Sequence, residues 1–175
     1  TQCKIKTCKY HPKCWIHTQA QDKIKIDKST IPNAGNGLFT LKNRETDELI
    51  AKYTGKRVNK AYLNKKYGKG KATYAVRVGR TGTYIDAQDL PSGMARYAND
   101  VRGTNKRANA ELAHTNNTKR AGVVIVAKHP IKVKREKNSK GKQEMRKEIL
   151  LDYGGDYWHD EQWENGHKRA KKRRV

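Results

Sequence analysis

Apolar and polar residues alternate with period two in Lys23–Ile26, Tyr74–Val78 and Ile131–Lys134, and short extended runs occupy Leu49–Tyr53, Thr83–Asp86 and Ile149–Asp152. Alternation of this kind sends successive side chains to opposite faces of a strand. Gly122–Ala127 adds a β-branched run, and residues rich in Gly, Asn and Lys separate the runs. One segment, Lys60–Tyr67, has the spacing of a short helix. Many short strands with turn-rich connections predict a mainly β fold. No internal repeat is visible.

The length of 175 residues fits a single domain with modest appendages. Ile, Leu, Val and Phe supply only 28 of those residues, which with a net charge of +23 makes disorder the starting expectation. Their clustering into β-branched runs argues instead for a small β-rich core. The longest apolar stretch, Ala121–Ala127, is seven residues, whereas a membrane-spanning helix needs about 20, so no membrane partner is expected. No secretory leader is legible, and the initial Thr leaves a removed leader open.

Charge changes the picture more than hydrophobicity does. Forty Lys and Arg against seventeen Asp and Glu suit a polyanionic partner, nucleic acid above all. Lys56–Arg80 carries nine basic residues and no acid. Lys132–Lys147 carries eight basic residues and two acids, lacks apolar periodicity and reads as an inserted loop. His167–Val175, with six basic residues in nine, reads as a tail for nuclear import or nucleic-acid contact. From Glu148 to Gly166 the sign reverses, with six acids and no Lys or Arg, and Tyr153, Tyr157, Trp158 and Trp163 share the stretch. Acids and aromatic faces together suit a cationic ligand, each cation–π contact contributing about 0.5–2 kcal/mol. Such acids would line a groove for a basic peptide; the alternative is that they neutralise the basic loop before them.

All three cysteines lie in the first fourteen residues, with two histidines interleaved. Cys3, Cys8, Cys14 and His17 supply four ligands of the kind that hold tetrahedral structural zinc. His11 could replace His17, and reduced thiols or one disulfide plus a thiol are the alternatives. The chain thus divides into a Cys/His-rich segment at 1–27, a domain at 28–158 and a basic tail at 159–175.

Gly35-Asn36-Gly37 alone is neither a dinucleotide fingerprint nor a P-loop, although two such glycines allow close backbone approach to a ligand. Four segments taken in order say more: Ala34–Phe39 (AGNGLF), Lys52–Val58 (KYTGKRV), Tyr84–Ala87 (YIDA) with Ala95–Gly103 (ARYANDVRG), and Glu148–Trp158 (EILLDYGGDYW). Their types and order resemble the SET-domain family of protein lysine methyltransferases over residues 28–158.

The resemblance implies a SET domain, with short twisted sheets and a knot-like closing segment, and methyl transfer from S-adenosylmethionine to lysine. It implies Tyr153 as the catalytic tyrosine and Tyr74 as a wall of the lysine channel. Gly35, Asn36 and Gly37 would form the cofactor turn. Arg96, Tyr97, Asn99 and Asp100 would form the cofactor-binding segment, Asn99 meeting the amino-acid end of the cofactor, and Trp158 would cover its adenine. Three departures stand out: Asp100 and Val101 replace the family's His and Ser, Lys52 and Lys56 replace acids, and Leu151 replaces an aromatic residue that influences how many methyl groups are added. The chemistry suits such a site, because an in-line displacement chiefly needs positioning and a neutral amine.

The expected substrate is a basic protein, a histone in nucleosomes foremost, with nucleosomal DNA held by the basic patches and a nuclear or chromatin location. A ribosomal or viral basic protein is an alternative substrate. A non-catalytic SET-like module that binds nucleic acid is the alternative that Asp100, Lys52 and Leu151 motivate. The target lysine and the oligomeric state are not legible.

Overall fold

A computed structural model describes residues 14–79, 82–89, 93–115 and 121–154, and of Trp15 the backbone alone. Helix α1 (Trp15–Asp22) ends where Lys23 takes a left-handed conformation, φ 53° and ψ 42°, which turns the chain into β1 (Ile24–Lys28). Then follow β2 (Asn36–Thr40), β3 (Leu49–Tyr53), β4 (Lys56–Asn59), α2 (Lys60–Tyr67), β5 (Ala75–Val78) and β6 (Thr83–Asp86). A 3-10 turn at Ala95–Tyr97 leads to β7 (Asn99–Asp100), β8 (Ala110–Thr115), β9 (Gly122–Ala127), β10 (Lys134–Lys137) and β11 (Gln143–Leu151). Helix α2 has the bounds its sequence predicts: the Asn59 side chain accepts the Tyr62 N–H at 2.8 Å, and Gly68 closes the last turn on Asn64 O at 2.9 Å.

Three small sheets carry the strands. The largest runs β1-β2-β11-β10 with β7 added on β11; the others run β3-β9-β8 and β4-β6-β5. Strand β11 changes partner along its length. Residues 143–146 pair with β10, 147–149 with β2, and Leu150 and Leu151 run parallel to Asn99 and Asp100. Because β2 is paired on both edges, Gly37–Thr40 is wholly buried. That is why this strand shows no alternation in the sequence.

The main core gathers Leu38, Ile50, Met94, Ile125, Ile149 and Leu151 with small Ala residues at the crossings. Truncating any of its large members to Ala should cost about 2–5 kcal/mol. A satellite of Val78, Ile85 and Val123 holds the β4-β6-β5 sheet against β9. Among the described residues no helix is long and apolar enough to cross a membrane.

The basic stretch Lys132–Lys147 is a hairpin and not an inserted loop. Its turn is built by Asn138, whose side chain accepts the N–H groups of Lys140 and Lys142 at 3.0 Å each, and by Gly141 at φ +74°. Hydrophobic periodicity is missing because an ion-pair cluster fills the inner side. Arg146, 2 % exposed, pairs with Asp27, stacks 3.7 Å above the Phe39 ring and stands 3.8 Å from Glu144, which in turn pairs with Lys25 at 2.6 Å. Ile131 makes only a bridge to Arg44, and the strand begins at Lys134. Strand β1 continues across residues 27 and 28, where the composition changes.

Candidate functional site

Register along β11 assembles the site. Pairing of Glu148 with Phe39 lays the closing segment against the Gly-Asn-Gly turn, and pairing of Leu150 with Asn99 lays it against the Asn-Asp bridge. Tyr153 follows at the strand's end. Three motifs distant in sequence thereby meet along the short segment from Glu148 to Tyr153.

At the turn, Gly35 has φ +71° and open space where a Cβ would stand, so it supplies conformation and exposed backbone. Gly37 serves another purpose: a Cβ there would fall on Oε1 of Glu148. Asn99 Nδ2 donates to the carbonyl of Asn36 at 3.0 Å and reaches Glu148 Oε1 at 3.5 Å. Glu148 itself is 3 % exposed. Its carboxylate accepts the Ser29 hydroxyl at 2.6 Å, the Thr30 N–H at 2.8 Å and the Thr30 hydroxyl. Glu148 therefore does not line a peptide groove as the acidic stretch suggested. It stands beneath the turn and fastens the β1-β2 connection to Asn99. An acid directly before the apolar run Ile149–Leu151 was the signal for this burial, and Ser29 and Thr30 gave none.

Around Tyr153 the hydroxyl donates to the carbonyl of Ala98 at 2.5 Å, and the backbone N–H donates to Asp100 Oδ2 at 3.3 Å. The other oxygen of Asp100 accepts the Arg102 N–H at 2.8 Å. Asp100 thus joins the bridge to the closing segment through backbone, a task for a short acceptor. Asp152 accepts the Gly154 N–H at 2.9 Å. Leu151 is 1 % exposed and belongs to the core.

Arg96 forms a third group. It is 8 % exposed and its guanidinium donates to the carbonyls of Ala87 and Gln88 at 2.7 and 2.9 Å and to the Tyr97 hydroxyl at 2.7 Å. It also lies 5.2 Å from the Tyr74 ring and 4.7 Å from the Tyr97 ring. Sequence predicted Arg96 and Tyr97 in a cofactor segment and Tyr74 in a channel; the structure brings these three together as a clamp between β6 and the 3-10 turn. Tyr97 and Tyr153 are both half-buried against the main core.

Cys14 and His17 also meet: Sγ and Nδ1 are 3.1 Å apart at the start of α1. Cys3, Cys8 and Trp158 lie outside the described residues. Among the described residues no group of three or more His, Cys, Asp or Glu could hold a metal ion.

Elsewhere on the surface, Lys56, Arg57, Val58, Asn59, Tyr62 and Thr83 line a groove of about 420 Å³ between β4 and α2. Lys56 Nζ stands 4.5 Å from the Tyr62 ring centre. On α2 the charge is partly paired: Lys66 lies 3.4 Å from both Asp86 and Asp89, and the Tyr67 hydroxyl donates to Asp86 at 2.8 Å. Bonding to Tyr67, then the Asp86 charge and the bond to Asp89, raise the Lys66 ammonium well above its ordinary range against the opposing effect of burial. Burial is the largest cause of the upward shift of the Tyr67 phenol.

No family model matches the sequence, and no curated protein matches it. Solved structures match in fold. The structure of ctPRC2 in an autoinhibited conformation bound to S-adenosylmethionine superposes with a TM-score of 0.60 at 18% identity, over 84% of this chain and 17% of that one. Polycomb repressive complex 2 of Chaetomium thermophilum gives 0.59 at 18% identity, over 76% of this chain and 15% of that one. The structure of ctPRC2 in complex with methylated and methionine-substituted histone H3 gives 0.60 at 18% identity, over 81% and 15%. The chain therefore spans less than a fifth of the length of those chains. The architecture is a SET-like fold, mainly β with short sheets, as the motifs implied.

Proposed function

We propose that the chain is an S-adenosylmethionine-dependent protein lysine N-methyltransferase acting on a basic protein, a histone in nucleosomes being the substrate its charge fits best. The observation that carries this reading is the Tyr153 hydroxyl on the Ala98 carbonyl at 2.5 Å, one residue before Asn99 and at the end of the strand that also holds the Gly-Asn-Gly turn.

The residues present fit the cofactor: the exposed turn at Gly35 and Asn36 offers backbone groups, and Asn99 stands fixed beside it. Gly35, Asn36 and Asn99 would hold its amino-acid end. Bound there, S-adenosylmethionine would supply an electrophilic methyl group on a sulfonium for transfer to a lysine nitrogen. Tyr153 commits its proton to Ala98, so its oxygen serves as an acceptor toward the amine and the methyl hydrogens. A lysine, with an ordinary pKa of about 10.4, must shed a proton before it attacks, and removal from water beside Tyr153 favours the neutral amine. Tyr74 and Tyr97 hold their places through the Arg96 clamp and would wall the approach.

Incubating the chain with nucleosomes and methyl-labelled cofactor tests the proposal. Label on a core histone lysine is the expected result. Label only on another basic protein would remove the histone, and no label together with no cofactor binding would remove the enzyme.

The finer features of this reading are a nuclear or chromatin location, nucleosomal DNA held by the basic surface, and a structural zinc. The zinc rests on Cys14, the residue before α1, and His17 in its first turn, 3.1 Å from each other, and Cys3 and Cys8 would complete four ligands.

The basic groove beside Tyr62 favours a second reading, a SET-like module that binds nucleic acid without catalysis. Calorimetry separates the two, since tight, salt-sensitive DNA binding with no S-adenosylmethionine binding fits only the second.

A further inference from the structure

Glu148 stands out among the buried polar groups. All four groups that reach its carboxylate, the Ser29 hydroxyl, the Thr30 N–H and hydroxyl, and the Asn99 amide, are neutral. Among the described residues no ion pair engages it, although the chain carries 40 Lys and Arg. The other buried acid of the same sheet, Asp27, is by contrast paired with Arg146. A buried carboxylate with no opposite charge is costly, and the cost falls when a cation comes near.

The position of Glu148 says where that cation would come. Its Oε1 occupies the space a side chain at residue 37 would need, and it touches the amide that holds the Asn36 carbonyl. The charge therefore sits directly behind the turn assigned to the cofactor. Four donors converge on its two oxygens, each of which acts as an acceptor.

We infer that Glu148 is the charge-selective element of the cofactor turn: its carboxylate favours the net positive S-adenosylmethionine over the net neutral S-adenosylhomocysteine. The inference rests on the methyltransferase reading and adds to it a determinant of donor against product. Methyl transfer erases the sulfonium charge, so the group that helps retain the donor ceases to retain the product. Glu148 acts as a positioning and selectivity residue and takes no part in bond making.

Calorimetry on the full chain with the two ligands tests this. In Glu148→Gln the ratio of S-adenosylhomocysteine to S-adenosylmethionine dissociation constants should fall about fivefold or more, whatever affinity the two ligands lose in common. Ser29→Lys, which leaves the carboxylate in place and gives it a counter-charge, should lower the same ratio and serves if the Gln variant does not fold. Ser29→Ala, which removes a hydrogen bond and keeps the charge, should leave the ratio unchanged. Equal weakening of both ligands in Glu148→Gln or Ser29→Lys would show a structural role and overturn the inference while leaving the methyltransferase reading intact. Failure of the unaltered chain to bind either ligand would overturn both.

Discussion

The phenol of Tyr153 and the carbonyl of Ala98 lie 2.5 Å apart across 55 residues of sequence. This bond fixes the orientation of a half-buried ring and directs the hydroxyl proton into the protein, so that what the oxygen offers to a substrate is a lone pair. Replacing Tyr153 by Phe should lower turnover about 100-fold or more, as expected for a preorganised polar group that acts in the transition state. Cofactor affinity should stay within a few-fold. Single-turnover rates beside calorimetry make the distinction, and an unchanged rate would remove Tyr153 from the chemistry.

Gly37 should not tolerate even a methyl group. The added Cβ would meet Oε1 of Glu148 inside a strand paired on both sides. Gly37→Ala should therefore lose roughly 1–3 kcal/mol of stability, the usual range for overpacking. Gly35→Ala meets no atom and instead strains a backbone at φ +71°, at a cost of about 1 kcal/mol. Denaturant melts of both variants compare the two costs, and the larger loss is expected at position 37.

Acid should weaken the fold in a defined window. Burial tends to raise the Asp27 carboxyl, but bonds from Ser139, Arg146 and the Lys28 N–H outweigh it and hold the group well below the usual carboxylate range. Burial likewise opposes, and Lys42, the Glu45 N–H and Arg44 overcome, at Glu48, which is held at about 2. Both pKa values are lower folded than unfolded, so the stability they bring is complete above about pH 5 and is lost as pH falls toward 2, the Asp27 part persisting to lower pH than the Glu48 part. Asp27→Asn should flatten that loss. It should also cost about 3 kcal/mol at neutral pH, because Arg146 stays buried without its nearest acid and keeps only the longer contacts to Glu136 and Glu144.

Charge reversal in the groove, Lys56→Glu with Arg57→Glu, should reduce affinity for nucleosomal DNA and make the logarithmic salt dependence shallower, by about 0.9 for each phosphate no longer neutralised. Methylation of a free histone peptide should change little. Filter binding at several salt concentrations, with parallel peptide assays, reads both effects, and an equal fall on the two substrates would place the groove in the fold or the catalytic site.

A chelator should lower the melting temperature if zinc joins Cys14 and His17 to the cysteines before them, because metal binding contributes folding free energy. Elemental analysis finding less than about a tenth of an equivalent of zinc would end that proposal.

The alternating and β-branched runs made β3, β5, β6 and β9 legible, and the Asn59 cap and Gly68 stop bracket α2 in the sequence as in the structure. Strand β2 escaped because it is covered on every side and has no polar face to alternate with. The β10-β11 hairpin escaped for the opposite reason: charged residues line it, and its inner side closes over the Arg146 cluster and not over carbon. For the candidate site, ordered motifs pointed to Asn36, Asn99 and Tyr153, which the register along β11 brings close to one another. They did not reveal that Glu148 is buried or that Arg96 turns inward, since both depend on contacts from segments that carry no motif, Ser29 with Thr30 in one case and Ala87 with Gln88 in the other.

A strand that serves three partners in succession also sets an order of events. During synthesis the turn at Gly35 and the bridge at Asn99 leave the ribosome before β11 exists, and until Glu148 to Leu151 arrive no strand pairing backs the bond between Asn99 and the Asn36 carbonyl. Contacts so distant in sequence form late and slowly. On the methyltransferase reading, a chain that stops before Glu148 lacks both the carboxylate behind the turn and the Tyr153 hydroxyl, and such a nascent or prematurely ended product should transfer no methyl group.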